Sequence, residues 1–339
     1  MAKGLVLVTG ASGYIAGFVA KLLIDDGWDV RGTVRDPAKG ERLRAALGLT
    51  PEQLPLVAAD LTADAGWGAA VAGCDFVQHI ASPLPLGVPK SDDELIVPAR
   101  DGALRVLRAA RDAGVRRVVM TSSSAAICYG MTTPRQVFTE ADWSDLGSRD
   151  TYPYVKSKTI AERAARDWVA SEGGALEFCT INPGMVFGPV PGGDYSASLT
   201  VLTKLLDGAL PGCPRFGFPL VDVRDIAAAH LAAMTAPGIA GERFLCAGPF
   251  LWMHDIATIL KSRLGDKAKR VPTRRLPDWV VRLVALADPE VRMVLAELGR
   301  ERICDASHAK ATLGWTMRPV EETIVDAARS LVAHGLVKT

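Results

Sequence analysis

The chain has 339 residues, 49% of them hydrophobic, and its 39 Lys and Arg nearly balance 38 Asp and Glu, for a formal net charge of +1 at pH 7. No basic face is expected to hold a nucleic acid, and no apolar run reaches the roughly 18 residues a membrane helix needs. Six cysteines without a C-x-x-C pair and five dispersed histidines predict reduced, packed thiols and no metal site.

In chain order, residues 4–9, with the apolar run Leu5-Val6-Leu7-Val8, read as a buried parallel strand. The strand enters Gly10-Ala11-Ser12-Gly13-Tyr14-Ile15-Ala16, a G-x-x-G-x-x-A turn that opens a helix over about 13–27. Gly10 permits the turn, Gly13 lets the backbone approach a pyrophosphate, and Ala16 allows close helix–strand packing. Gly10, Ser12, Gly13, Tyr14 and Ile15 are therefore candidate cofactor-binding residues. A second strand spans Trp28 to Val34, and its end meets the adenosine ribose in dinucleotide folds. Val34 cannot accept hydrogen bonds from ribose hydroxyls, whereas Arg35 suits a 2′-phosphate and Lys39 or Arg42 can add a second cation. NADP(H) is the expected cofactor. Asp36 is the alternative, because a one-residue slip would place a carboxylate near the ribose.

Pro37 opens a short helix to about Leu47. A third strand covers Pro55 to Ala59 and ends at Asp60, and a fourth covers Asp75 to Ile80. A long helix follows over about 91–113. The fifth strand, Arg117 to Met120, runs into Thr121-Ser122-Ser123-Ser124. A helix over about 153–172 precedes the sixth strand, Glu177 to Ile181. This alternation predicts an α/β fold with a doubly wound parallel sheet of Rossmann type, covered by helices on both faces. After Asn182-Pro183-Gly184 the alternation breaks, and residues 188–193 are a glycine-proline loop. The expected division is a dinucleotide-binding domain over 1–186, with about 218–248 returning to it. A smaller, interleaved α+β substrate domain would take 187–217 and 249–339.

Tyr154 and Lys158 are four residues apart and share one helix face. A free phenol titrates near 10, and a neighbouring ammonium lowers that value towards useful acid–base chemistry. Tyr152 and Lys156 repeat the spacing. Tyr152 precedes Pro153, however, and is pushed out of the helical region, while Pro153 suits the first helical position. Tyr154 with Lys158 is the favoured pair. The Thr121–Ser124 cluster at a strand end supplies a hydroxyl that can donate to a substrate carbonyl oxygen.

Thr9-Gly10-x-x-Gly13, the serine cluster and Tyr154 with Lys158 together resemble the extended short-chain dehydrogenase/reductases. The resemblance runs nearly end to end. It is strongest to the dihydroflavonol reductase, cinnamoyl-CoA reductase and fungal aldehyde/ketone reductase branch, through Gly32-Thr33-Val34-Arg35-Asp36-Pro37, His79-Ile80-Ala81-Ser82-Pro83, Asn182-Pro183-Gly184-x-Val186-Phe187-Gly188-Pro189 and Val221-Asp222-Val223-Arg224-Asp225. The resemblance implies that Ser123 is the catalytic serine and that Arg35 grips the 2′-phosphate. It further implies that Asp60 and Leu61 flank the adenine, Ala81 and Ser82 line the dinucleotide path, and Pro183 and Val186 border the nicotinamide. Plant flavonoid reductases carry an asparagine five residues after the serine and a glutamine later; Cys128 and Pro219 stand here instead, which weakens a flavonoid reading.

The expected activity is an NADPH-dependent carbonyl reductase for moderately apolar aldehydes and ketones, with Ser123, Tyr154 and Lys158 catalytic. Leu84, Cys128, Met185 and Phe218 are candidate substrate contacts, with Met131, Trp143, Phe187 and Phe216 as further apolar candidates. The alternatives are an NAD-dependent nucleotide-sugar epimerase or dehydratase and a non-catalytic NADP-sensing regulator. A cytoplasmic monomer or homodimer is expected, without a membrane partner.

Overall fold

The computed structural model describes residues 3–83, 89–192 and 196–338. Its strands in chain order are β1 (Leu5–Val8), β2 (Asp29–Val34), β3 (Leu56–Ala58), β4 (Phe76–His79), β5 (Arg117–Thr121), β6 (Arg135–Phe138), β7 (Glu177–Pro183), β8 (Met185–Phe187), β9 (Gly217–Asp222), β10 (Arg243–Cys246), β11 (Phe250–Trp252) and β12 (Glu301–Cys304). Seven of them form the central sheet, in the order β10-β7-β5-β4-β1-β2-β3 with every pairing parallel. Strand order reverses between β1 and β4, and such a switch point leaves a crevice beyond the carboxyl ends of the strands.

Both faces of this sheet are buried. On one, the helices Tyr14–Asp25 and Val223–Thr235 pack through Val19, Leu23, Ile226 and Ala233. On the other, the helices Asp93–Asp112 and Pro153–Glu172 pack through Val106, Leu107, Ala165 and Trp168. That is why β1 and the Val118–Met120 stretch of β5 read as continuous apolar runs rather than alternating ones. The helix Pro153–Glu172 begins where the sequence predicts, since Tyr152 is extended (φ −96°, ψ 170°) and Pro153 takes the first helical position.

A second core surrounds Phe187, Leu199, Leu205, Leu260, Ile324 and Leu331. Beside it lies the three-stranded sheet β11-β9-β8. Residues 218–222 belong to this sheet and not to the central one. The free edge of β7 is taken by β10, in register from Arg243 opposite Thr180 to Cys246 opposite Pro183, so β9 pairs with β8 and β11 instead. A parallel pair, β6 with β12, ties the chain near residue 301 back to the loop after β5. No helix among the described residues is long and apolar enough to cross a membrane.

Candidate active site

The glycine turn sits at the switch point. Gly10 has φ +67°, and a Cβ there would lie 3.0 Å from both Cα and Cβ of Ala81, so conformation and space both demand glycine. Thr9, fully buried, locks the neighbouring segment. Its Oγ1 accepts from the amides of Ile80 and Ala81 at 3.0 Å and, through its own proton, donates to His79 Nδ1 at 2.9 Å. Gly13 precedes the helix Tyr14–Asp25, whose N-terminus has no side-chain cap and no acid in its first turn. That leaves amides and the positive end of the helix dipole for an anion, as a pyrophosphate requires. Ser12, Tyr14 and Ile15 all flank this opening. The Tyr14 ring packs edge-on against Phe18 at 5.7 Å, so this residue offers backbone rather than side chain.

At the end of β2, Val34 is buried, and Arg35 and Lys39 are exposed. Asp36 is committed elsewhere: its carboxylate caps the helix Pro37–Ala46 by accepting from the Ala38 amide at 2.9 Å. The Asp60 carboxylate accepts from the Thr62 amide and hydroxyl, each at 2.8 Å. These bonds hold its pKa down, with smaller help from the charge of Arg35. Leu61 packs against Gly102, where any side chain would collide with it. The cradle of glycines, uncapped helix and cation beyond β2 fits a dinucleotide carrying a 2′-phosphate.

Ser123 and Tyr154 open together on a cavity of about 400 Å³ at the carboxyl ends of β5 and β7. Ser123 follows β5, and its Oγ accepts from the Ala125 amide at 3.1 Å. Burial pushes the Tyr154 phenol up, and a hydrogen bond with Ser123 partly opposes this. The sequence argument expects Lys158 to lower this phenol; in the structure burial wins. Lys158 Nζ stands 5.9 Å from the Tyr154 ring centre and donates to Ser82 Oγ at 3.0 Å. Burial also lowers the Lys158 ammonium to about 8, against the opposing pull of Glu162. The rival lysine points away, because Lys156 Nζ pairs with Asp92 at 2.6 Å.

Glu162 is a residue the motif reading did not single out for a role. It lies one turn beyond Lys158, fully buried, where it accepts from Ser122, from Asn182 Nδ2 at 2.8 Å and from Arg243 Nε at 2.6 Å. Asn182 Nδ2 also donates to the Ser123 carbonyl at 3.2 Å. One carboxylate thus ties the tyrosine helix to β5, β7 and β10 and steadies the serine backbone. Its i, i+4 relation to Lys158 was the available signal.

Cys128, Met185, Phe216 and Phe218 lie in the cavity wall. Pro183 ends β7 opposite Cys246, and Val186 pairs with Val221 beside that wall. Met131, Trp143 and Phe187 are absent from the wall among the described residues. Met131 packs with Ile127 and Phe138, and Phe187 is fully buried in the second core. Trp143 lies beneath the guanidinium of Arg243 at 3.7 Å. Burial of an apolar side chain in a core outweighs exposure to a cavity at Met131 and Phe187, whereas half-buried Trp143 is held by the guanidiniums of Arg163 and Arg243. Leu84 lies outside the described residues.

The NAD dependent epimerase/dehydratase family matches residues 6–247. Cinnamoyl-CoA reductase 2 of Arabidopsis thaliana is 32% identical over 338 residues, covering 98% of this chain and 93% of that protein. Dihydroflavonol 4-reductase of Zea mays is 32% identical over 276 residues, covering 78% of this chain and 75% of that protein. Among solved structures, yeast methylglyoxal/isovaleraldehyde reductase Gre2 complexed with NADPH superposes with a TM-score of 0.80 at 25% identity, over 98% of this chain and all of that one.

Proposed function

Because the chain belongs to the NAD dependent epimerase/dehydratase family, the extended short-chain dehydrogenase/reductases, we infer that its cavity reduces aldehydes and ketones at the expense of NADPH. The chain is an NADP-dependent oxidoreductase. The observation that carries the carbonyl-reductase reading is the single cavity onto which Ser123, Tyr154 and a wall of Met and Phe side chains all open.

The glycine turn and Arg35 would hold the nicotinamide cofactor, which would supply the hydride. The Ser123 hydroxyl donates to the substrate carbonyl oxygen, where negative charge develops. The Tyr154 phenol delivers the proton to that oxygen. Burial keeps this phenol protonated at neutral pH, which is the form reduction needs. Lys158, held by Ser82 and buried, places a positive charge beside the phenolate left after transfer. Residues 3–183 with the return through 223–246 serve the cofactor in this reading. The remaining segments, together with Cys128, Tyr129 and Tyr152, shape the substrate wall.

Apolar contacts discriminate weakly, at about 1–3 kcal/mol per methylene, so several carbonyls are expected to react. The test is NADPH oxidation across aldehydes, α-ketoesters, diketones and aryl ketones. Several should turn over with kcat/KM within about two orders of magnitude of one another. Turnover confined to a UDP- or GDP-sugar, with no NADPH consumed on any simple carbonyl, would replace this reading with the epimerase one.

A further inference from the structure

We propose that Glu297 is a substrate-binding residue whose carboxylate accepts a hydrogen bond from a hydroxyl on the carbonyl substrate, so that the enzyme prefers hydroxy-substituted aldehydes and ketones. The proposal rests on the reductase reading and names the substrate class for the same cavity.

Glu297 ends the short turn Leu295–Glu297 and lines the cavity shared by Ser123 and Tyr154. Only 8% of the residue is exposed. One carboxylate oxygen, Oε2, accepts from Arg302 Nη1 at 3.3 Å. The other, Oε1, is buried and has no partner within hydrogen-bond geometry among the described residues; the Tyr129 hydroxyl is the neighbouring donor to this carboxyl. A buried carboxylate oxygen without a donor is unfavourable, and native structures seldom leave one in that state. Because Glu297 lines the cavity, a ligand that brings a donor can satisfy this carboxylate there.

The surroundings define that donor. The hydroxyls of Tyr129 and Tyr152 stand 3.4 Å apart and share the cavity with Glu297. The Tyr152 ring stacks on Tyr154 with 6.4 Å between centres, so this polar end lies about one aromatic ring away from the proton donor. The same cavity wall includes the apolar side chains of Met185, Phe216, Phe218 and Met293. A substrate with its carbonyl at Ser123 and Tyr154, an apolar middle and a terminal hydroxyl matches all three regions.

Charge selects a neutral donor over an ammonium. Arg302 bridges Glu297 and Asp150, the latter at 3.5 Å, and Arg300 stands 3.9 Å from Asp150. Two guanidiniums already match two carboxylates, and an ammonium would add an uncompensated buried charge. Burial pushes the Glu297 carboxyl up, while Arg302 and then a hydrogen bond from the Tyr129 hydroxyl pull it down; a substrate hydroxyl acts in the second direction.

The experiment compares 4-hydroxyphenylacetone with phenylacetone, which differ only by the hydroxyl. Wild type should favour the hydroxy compound by about 10-fold or more in kcat/KM, the scale of a hydrogen bond to a charged acceptor. Glu297→Met should bring the ratio close to one, and Glu297→Gln, which keeps the shape without the charge, should reduce it. General damage to the site moves both compounds together and leaves the ratio intact. Calorimetric titration of both compounds with NADP+ present reads the same preference as binding. If neither compound consumes NADPH, the reductase reading fails, and the binding ratio still decides the role of Glu297. Equal wild-type affinities and rates, or a ratio that survives Glu297→Met, would overturn the proposal. The wild-type ratio needs no variant to fold.

Discussion

Lys158 is buried and Tyr154 half-buried, and loss of solvent acts on their pKa values in opposite senses: it favours the protonated phenol and the deprotonated amine. Reduction uses the first effect directly. Tyr154→Phe is expected to lower kcat by about 10²-fold or more, the usual scale of general acid catalysis, while NADPH still binds in a fluorescence titration. Tyr152→Phe should keep most activity on simple carbonyls, since Lys156 is engaged with Asp92. Loss in Tyr152→Phe with activity retained in Tyr154→Phe would transfer the role. Cofactor choice is also a residue-scale matter. Asp36 is spent on a helix cap and Arg35 is exposed beyond β2. A charge-assisted hydrogen bond of roughly 1.5–3 kcal/mol corresponds to about 10- to 150-fold in affinity. Arg35→Glu should erase or reverse the preference for NADPH, and equal kcat/KM for NADPH and NADH in the wild type would refute the role of Arg35.

At the scale of elements, buried arginines join pieces that the sheet hydrogen bonds do not. Arg117 on β5 is 5% exposed, and its Nη1 donates to the carbonyls of Ala233, Met234 and Ala236 at 2.7–3.0 Å. These carbonyls close the helix Val223–Thr235, which would otherwise end on the sheet with unpaired acceptors. Removing a charged donor from several buried acceptors costs about 2–4 kcal/mol, so Arg117→Met should lower the urea midpoint accordingly. Unchanged stability would mean that water replaces the guanidinium. Arg243 does the corresponding work on β10, joining Glu162 to the carbonyls of Glu140 and Asp142. The site is therefore braced from the far edge of the sheet.

For the whole molecule, two buried histidines set the response to acid. His230 donates from Nδ1 to Gln78 Oε1 at 2.7 Å and accepts from the Thr121 hydroxyl at 2.8 Å, which requires the neutral ring. His79 is likewise neutral, with Thr9 as its donor. Burial lowers both to about 3, with the charge of Lys158 assisting at His79. Their folded values lie below the free value of 6.5, so the unfolded chain binds more protons between about 3 and 6.5. Stability therefore falls as pH drops through 6.5. Two protons correspond to a slope approaching ~2.7 kcal/mol per pH unit below that point. Urea unfolding at pH 7, 6 and 5 measures it, and a flat stability across this range would contradict the buried neutral state.

The sequence alone determined the parallel αβ alternation, the glycine turn and the start of the tyrosine helix. Each depends on forces that act over a few residues: apolar runs that need two covered faces, a φ that only glycine accepts readily, and the clash of Pro153 with a helical Tyr152. The same local reasoning placed Tyr154 and Lys158 on one helix face. It did not find β6 or the short helix Trp67–Val71, whose stretches are too brief to show a period. Tertiary structure alone decided that β9 leaves the central sheet and that Met131, Trp143 and Phe187 pack away from the cavity wall. It also brought Glu297 and Arg302 across from the carboxyl-terminal segment to face Tyr129 and Tyr152. A buried charge is stable only with partners, and those partners lie far away along the chain. Neither Glu297 nor Arg302 carries a local pattern that sets it apart from an ordinary surface charge.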